Sequence, residues 1–339
     1  MNALNRLRIL VKIHYLSLLI GFVLFSACTE TSDPQTSDNV HFGIYFLEDT
    51  TLTISDVWQT DIDILILQKT AWITEEDIEF YDFSSHCIYL KTDKSDYFNG
   101  FDNELYIIPV WMRNRPFIIT TGETRAYLAS FHSIVFCSMP VVPYIDEFCL
   151  SNYPDDVIQL SQARIEDDDA RFNDDVREAL IDLGLYHGGL EIELDTVEII
   201  DNTDTATVEY TYTFTNEDSD DLWVIDPDRM GTALFHYFTN GVNFRSMDNN
   251  IHYWSSQKTV ITPEPYDRWE TDWFTKIPSG QSMTRTVRLR GYPRIQPGHY
   301  IGEFTLANPV NIDKDARLID NGRIWIGSRK SSSIDLQIE

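Results

Sequence analysis

Hydrophobic residues recur in two rhythms along the 339-residue chain, and the rhythm changes near Leu190. Beyond that point the period is two. Leu190, Ile192 and Leu194 alternate with Glu191, Glu193 and Asp195. Val208, Tyr210, Tyr212 and Phe214 alternate with Thr207, Glu209, Thr211 and Thr213. Val287 and Leu289 sit between Thr286, Arg288 and Arg290, and Tyr300, Gly302, Phe304 and Leu306 between Ile301, Glu303 and Thr305. Ile334, Leu336 and Ile338 close the chain. Side chains of a strand point alternately to its two faces, so each stretch predicts a half-buried strand with one wet face. Several such strands separated by turn residues predict a β-sandwich over 190–339.

Residues 40–150 are mixed. "HFGIYFL" (41–47), "DILILQ" (63–68), "HCIYLK" (86–91) and "ELYIIPVWM" (104–112) read as strands, and "PFIITTGETRAYLASF" (116–131) as a hairpin turning at Thr121-Gly122. "TEEDIEFY" (74–81) reads as one or two helical turns, with Thr74 as cap and Asp77 three places on, where its carboxylate reaches back to open backbone donors. In 151–189, Val176, Ala179, Leu180 and Leu183 fall at helical spacing. Acids crowd the start, and Gly184 stands where a left-handed cap ends a helix. The spacing predicts an amphipathic helix over 173–183, in a connector. The fold class expected is α+β: a mixed α/β domain over 40–150, a helical connector over 151–189 and a sandwich over 190–339. Two domains suit this length.

The amino terminus has its own pattern. Arg6, Arg8 and Lys12 precede an apolar run from Ile13 to Phe25. Discounting its polar positions, the run is about half the ~20 residues a spanning helix needs, so a signal peptide over 1–27 is expected. Its end, Phe25-Ser26-Ala27-Cys28, resembles a bacterial lipobox, with Phe25 where Leu is commoner. That resemblance implies cleavage before Cys28 and lipid on its thiol. Each buried CH₂ of an acyl chain contributes ~0.8 kcal/mol, and more than one chain makes anchoring stable. "TETSDPQTSDN" (29–39) has no apolar member and reads, with Cys28, as a flexible tether. The expected address is the bacterial cell envelope, lipid-anchored, on the outer membrane if the cell has one.

Charge narrows the partners. Taking Arg6, Arg8 and Lys12 from the 26 basic residues leaves 23 against 54 acidic ones, so the formal charge moves from −28 to −31. So acidic a chain repels phosphate backbones and anionic head groups, so nucleic acid is excluded as a partner and lipid must provide the membrane contact. Hydrophobic content of 43% is ordinary for a globular protein. After Cys28, Cys87, Cys137 and Cys149 remain, enough for one disulfide with a thiol left over, and their pairing stays open.

"IPSGQSMTRTVRLRGYPRIQPGHYIGEFTL" (277–306) resembles the E-strand, turn and F-strand of immunoglobulin-like domains. The resemblance implies a structural role for Tyr300, after Pro297-Gly298, as the tyrosine that bonds back to the backbone at the corner. More widely, 190–339 resembles immunoglobulin-like accessory domains of bacterial surface proteins, including the BsuPI-type proteinase inhibitors. It implies a fold and brings no inhibitory loop with it. Residues 40–150 loosely resemble the front halves of exported bacterial proteins, which implies no activity.

The chain has no G-x-S-x-G, H-E-x-x-H, Walker or G-x-G-x-x-G motif. His86, with Asp82 and Cys87, is a candidate nucleophilic group, although neighbours 86 and 87 on a strand would point apart. "NEDSDD" (216–221) offers Asp218, Asp220 and Asp221 as calcium candidates against the alternative of a solvated acidic turn. "EDDDARFNDD" (166–175) is accounted for by helix capping. Tyr253, Trp254, Tyr266, Trp269, Trp273 and Phe274 concentrate in "NIHYWSS" and "YDRWETDWF", where they either stack on a glycan or protein partner or plug the core. These features point to a non-catalytic binding or scaffolding role at the envelope. A glycan-binding lipoprotein and a hydrolase with its site in 40–150 are the rivals.

Overall fold

The structure is a computed structural model that describes residues 40–98, 108–133, 140–162, 169–249, 251–256, 269–308, 312 and 314–339. Cys28, Cys137, Tyr266 and the whole of 1–39 lie outside the described residues. The described strands of the first half are β1 (Gly43–Phe46), β2 (Ile73–Thr74), β3 (Ile78–Asp82), β4 (Cys87–Leu90), β5 (Pro116–Thr121), β6 (Thr124–His132), β7 (Tyr144–Asp146), β8 (Val157–Ser161) and β9 (Tyr186–His187). They join in one sheet ordered β2-β1-β5-β6-β7-β8-β4-β3-β9, antiparallel except at β6/β7 and β3/β9. Phe46, Phe117 and Phe131 gather with Trp72 and Phe98 at the centre of its core.

Three local expectations change here. "DILILQ" forms a 3₁₀ turn at Ile62–Ile64 and one isolated bridge, Leu47 to Leu67, instead of a strand. With no ladder to join, Ile64 and Ile66 stay 70% and 68% exposed. The described end of "ELYIIPVWM" is a 3₁₀ turn at Val110–Met112, after Pro109, whose missing N–H cannot serve a ladder. "TEEDIEFY" makes one 3₁₀ turn and then enters β3. Its box is present, with Asp77 accepting from the Thr74 N–H at 2.8 Å and the Thr74 hydroxyl at 3.0 Å.

The helix over 173–183 runs Asp174–Asp182. Asn173 caps it by accepting from the Val176 N–H at 3.1 Å. At the other end Gly184, at φ +68°, donates to Ile181 O and Leu185 donates to Leu180 O, the paired bonds of a left-handed cap. Val176 and Leu180 are its buried side. The rest of 151–189 supplies β8 and β9, so this segment builds the first sheet instead of merely linking two bodies.

In the second half the strands are β10 (Leu190–Asn202), β11 (Thr205–Asn216), β12 (Asp221–Ile225), β13 (Val242–Ser246), β14 (His252–Tyr253), β15 (Phe274–Ile277), β16 (Ser282–Pro293), β17 (Gly298–Asn308), β18 (Leu318–Ile319), β19 (Gly322–Ile324), β20 (Gly327–Lys330) and β21 (Ile334–Ile338). They form sheets ordered β10-β11-β16, β15-β12-β19-β18 and β14-β13-β17-β20, with β21 also on β17. The inward residues of β11 alternate as their pattern required. Tyr212 stacks on Phe304 at 5.0 Å and on Phe235 at 5.8 Å. Phe235 belongs to a helix, Thr232–Thr239, that a strand-only reading of this half did not contain. The coarse class is α+β. Cys87, Tyr89, Tyr153 and Val157 of the first half share one hydrophobic cluster with the second, and Val40–Glu339 form a single unit.

Candidate functional site

The two halves are tied at the turn between β3 and β4. Asp82 ends β3, and its Oδ1 accepts from the N–H groups of Ser84 and Ser85, both at 3.1 Å, and from the Ser84 hydroxyl at 2.6 Å. An aspartate that bonds its own backbone two residues on makes a turn without further help. His86 closes the turn at φ +53°, a conformation few side-chain-bearing residues adopt. The Ser84 hydroxyl in turn accepts from the Leu190 N–H at 2.9 Å and from Trp325 Nε1 at 3.0 Å, both in the second half. Gly189 lies against this knot at φ +74°, and a Cβ there would sit 2.1 Å from Ser84 Oγ. Only glycine fits.

Charge completes the tie. Arg323 of β19 is buried and bonds Asp82 Oδ2 at 2.6 Å and Asp218 Oδ2. Its guanidinium lies 5.0 Å from the Phe80 ring, which stacks on Tyr89 at 4.0 Å. His187 Nδ1 meets Asp218 Oδ1 at 2.8 Å. Burial alone would raise the Asp218 carboxyl. The hydrogen bond from His187 and the Arg323 guanidinium outweigh it and hold the group well below the usual carboxylate range. A second buried pair joins Arg317 Nη1 to Asp156 Oδ1 at 2.8 Å, with Arg317 5.1 Å from the Tyr89 ring.

These bonds decide what the sequence candidates can do. His86 stands in the turn rather than on a strand, and its Nδ1 faces the Tyr81 hydroxyl at 3.2 Å. Burial drives its pKa well below the ordinary histidine value, and Arg171 and Arg329 add to that. Burial also pushes the Cys87 thiol up, and its sulfur points to Ser85 O at 4.0 Å. Asp82 and Cys87 therefore direct their polar atoms to separate partners, while His86 bonds through Nδ1 and its Nε2 is buried without a partner among the described residues. Cys87 and Cys149 are both free thiols, and burial pushes Cys149 up to about 12.

The acidic turn splits in two. Asp218 and Asp220 converge with His187, which the sequence did not suggest, their donor atoms all within 4.8 Å. Asp221 turns away to Lys276 Nζ at 3.0 Å and the Ser279 N–H at 3.2 Å. Calcium takes six to eight oxygens. Two carboxylates and an imidazole, with Asp218 already occupied by Arg323 and His187, do not fit that ion.

The aromatic residues are likewise divided. Trp254 is 54% exposed and lies parallel to His252 at 5.3 Å. Tyr253 meets Tyr300 edge-on at 5.8 Å, while Trp269 and Trp273 are half-buried against the core, beside Phe274 and Phe238. Among the described residues no ring contact joins Trp254 to Trp269 or Trp273. Tyr300 is buried and its hydroxyl donates to Gln296 O at 2.8 Å.

Beside the Ser84 knot a cavity of about 490 Å³ opens between the halves. Gln159 and Ser161 of β8 and Arg171 and Phe172 ahead of the helix form one wall, and Arg329 of β20 belongs to the other. Pockets favour such seams. Sequence reasoning missed Arg329. Its only local signal was an adjacent basic pair, Arg329-Lys330, in a strongly acidic chain. Compared with protein-family models and with curated proteins, the chain matches none.

Proposed function

We propose that this is an exported bacterial lipoprotein, held to the cell envelope through Cys28, whose body binds a partner rather than catalysing a reaction. Its second half is then an immunoglobulin-like sandwich with Tyr300 as the corner residue. The observation that carries the reading is Ser26-Ala27-Cys28 at the end of a short apolar run, followed by a polar stretch up to Asn39 and a folded body from Val40. Support for a non-catalytic body comes from how its reactive types are used: Asp82 and Ser84 hold the seam, and the Cys87 thiol is pushed away from the reactive thiolate by burial. Metabolic labelling with a fatty-acid analogue, followed by fractionation, tests the anchor. The wild type should be labelled and sediment with membranes, and Cys28→Ala should be unlabelled. Equal labelling of both would refute the lipid assignment.

A further inference from the structure

We propose that the cavity between the halves binds a small organic acid, with its carboxylate on Arg329 and its apolar body against Phe172.

Like Arg113, Arg329 has a buried Nε without a partner among the described residues, and of these two it is Arg329 that lines the cavity. Arg171 closes on Asp169, Arg317 on Asp156, and Arg323 on Asp82 and Asp218, while Arg115 rests on the faces of Phe46 and Trp111. Arg329 is half-buried, and among the described residues no carboxylate bonds it. Its Nη1 donates to Ser84 O at 3.1 Å, its Nε is buried without a partner, and its guanidinium carbon stands 5.3 Å from the Phe172 ring. Glu191 and Asp82 act on it only through space, and burial lowers its pKa against their pull. A guanidinium removed from water without an anion is costly, and a carboxylate is the group whose shape matches its planar fork.

The other charges facing the cavity are already paired. Arg171 holds Asp169, and Lys330 holds Glu303 at 2.7 Å. Among the described residues that line the cavity Arg329 is thus the cation left over, in a protein whose formal charge is −28. The neutral hydrogen-bonding groups are those of Gln159, Ser161, Thr305 and Ser328. Phe172 is 44% exposed and offers an apolar surface at the same place. The combination selects an oxyanion with an apolar body over a bare inorganic ion, within a volume suited to a small molecule.

The inference rests on the binding half of the function proposed above and not on the anchor. Detergent-purified full-length Cys28→Ala should therefore bind as the wild type does, so a failed anchor leaves the site standing and a failed site leaves the anchor standing. Isothermal titration would use benzoate, its neutral counterpart benzamide, acetate and inorganic phosphate. We expect saturable benzoate binding, at least about tenfold tighter than benzamide, the size of one charge-assisted hydrogen bond. Arg329→Gln should weaken benzoate by a similar factor. Phe172→Ala should weaken benzoate and leave acetate unchanged. Absent benzoate binding, equal affinity for benzamide, phosphate binding tighter than benzoate, or wild-type affinity in Arg329→Gln would each overturn the proposal. Should Arg329→Gln not fold, the exposed Phe172 decides, because unchanged benzoate affinity in Phe172→Ala also overturns it.

Discussion

Arg323 and Arg288 make the same kind of bond in opposite surroundings. Arg288, on the wet face of the β10-β11-β16 sheet, bonds Glu209 Oε2 through Nε at 3.0 Å and Nη2 at 2.8 Å. Its side chain is 57% exposed and that of Glu209 29%. Arg323 at the seam bonds two carboxylates with a side-chain exposure of 6%, and neither aspartate is exposed at all. Beside Arg288 the hydroxyls of Thr211 and Thr286 meet at 2.9 Å, a bond that water could replace at little loss. Beside Arg323 the buried Ser84 hydroxyl is shared between the halves. Both are guanidinium–carboxylate contacts, with two nitrogens on one oxygen at Arg288 and one nitrogen between two carboxylates at Arg323. Water makes the first pair nearly expendable and the second obligatory, because a buried charge that loses its partner keeps its full desolvation cost.

Removing each arginine should separate the two cases. Arg323→Met leaves Asp82 and Asp218 buried without their common cation, and we expect a loss of about 3–5 kcal/mol in chemical unfolding. Arg288→Gln exposes nothing that was hidden. Its loss should lie within about 1 kcal/mol and shrink further in added salt. Losses of equal size in the two variants would break the comparison.

The contrast also explains what could be read from the chain. The strands of the second half were legible because their inward residues alternate over long runs, as in Val208-Tyr210-Tyr212-Phe214. The helix Asp174–Asp182 was legible because its spacing and both ends carry local signals. "DILILQ" was over-read, since a period of two shows which face could be buried and not whether a neighbouring strand exists to pair with. The helices at Pro227–Met230 and Thr232–Thr239 were missed although Asp226-Pro227 is a cap followed by proline in the first turn. Arg323 was beyond local reading. It lies in "NGRIWIG", and its partners are 241 and 105 residues away, so no window of sequence contains them. Separation also hid His187 from Asp218, 31 residues on, and Arg329 from Ser84, 245 residues away. A turn of the chain can be read from its own residues. A seam between two halves cannot.

The central claim is that buried charge at Asp218 helps to hold the halves together, and acid titration tests it most directly. A carboxyl held below its ordinary pKa contributes stability that is complete above its unfolded pKa of about 4 and is lost as pH falls through the folded value. Urea unfolding of the wild type and Asp218→Asn would be compared at neutral pH and in steps down to pH 3. The wild type should be clearly more stable at neutral pH, and the gap should hold until about pH 4 and then narrow. A gap that stays constant into acid, or no gap at neutral pH, would contradict the account.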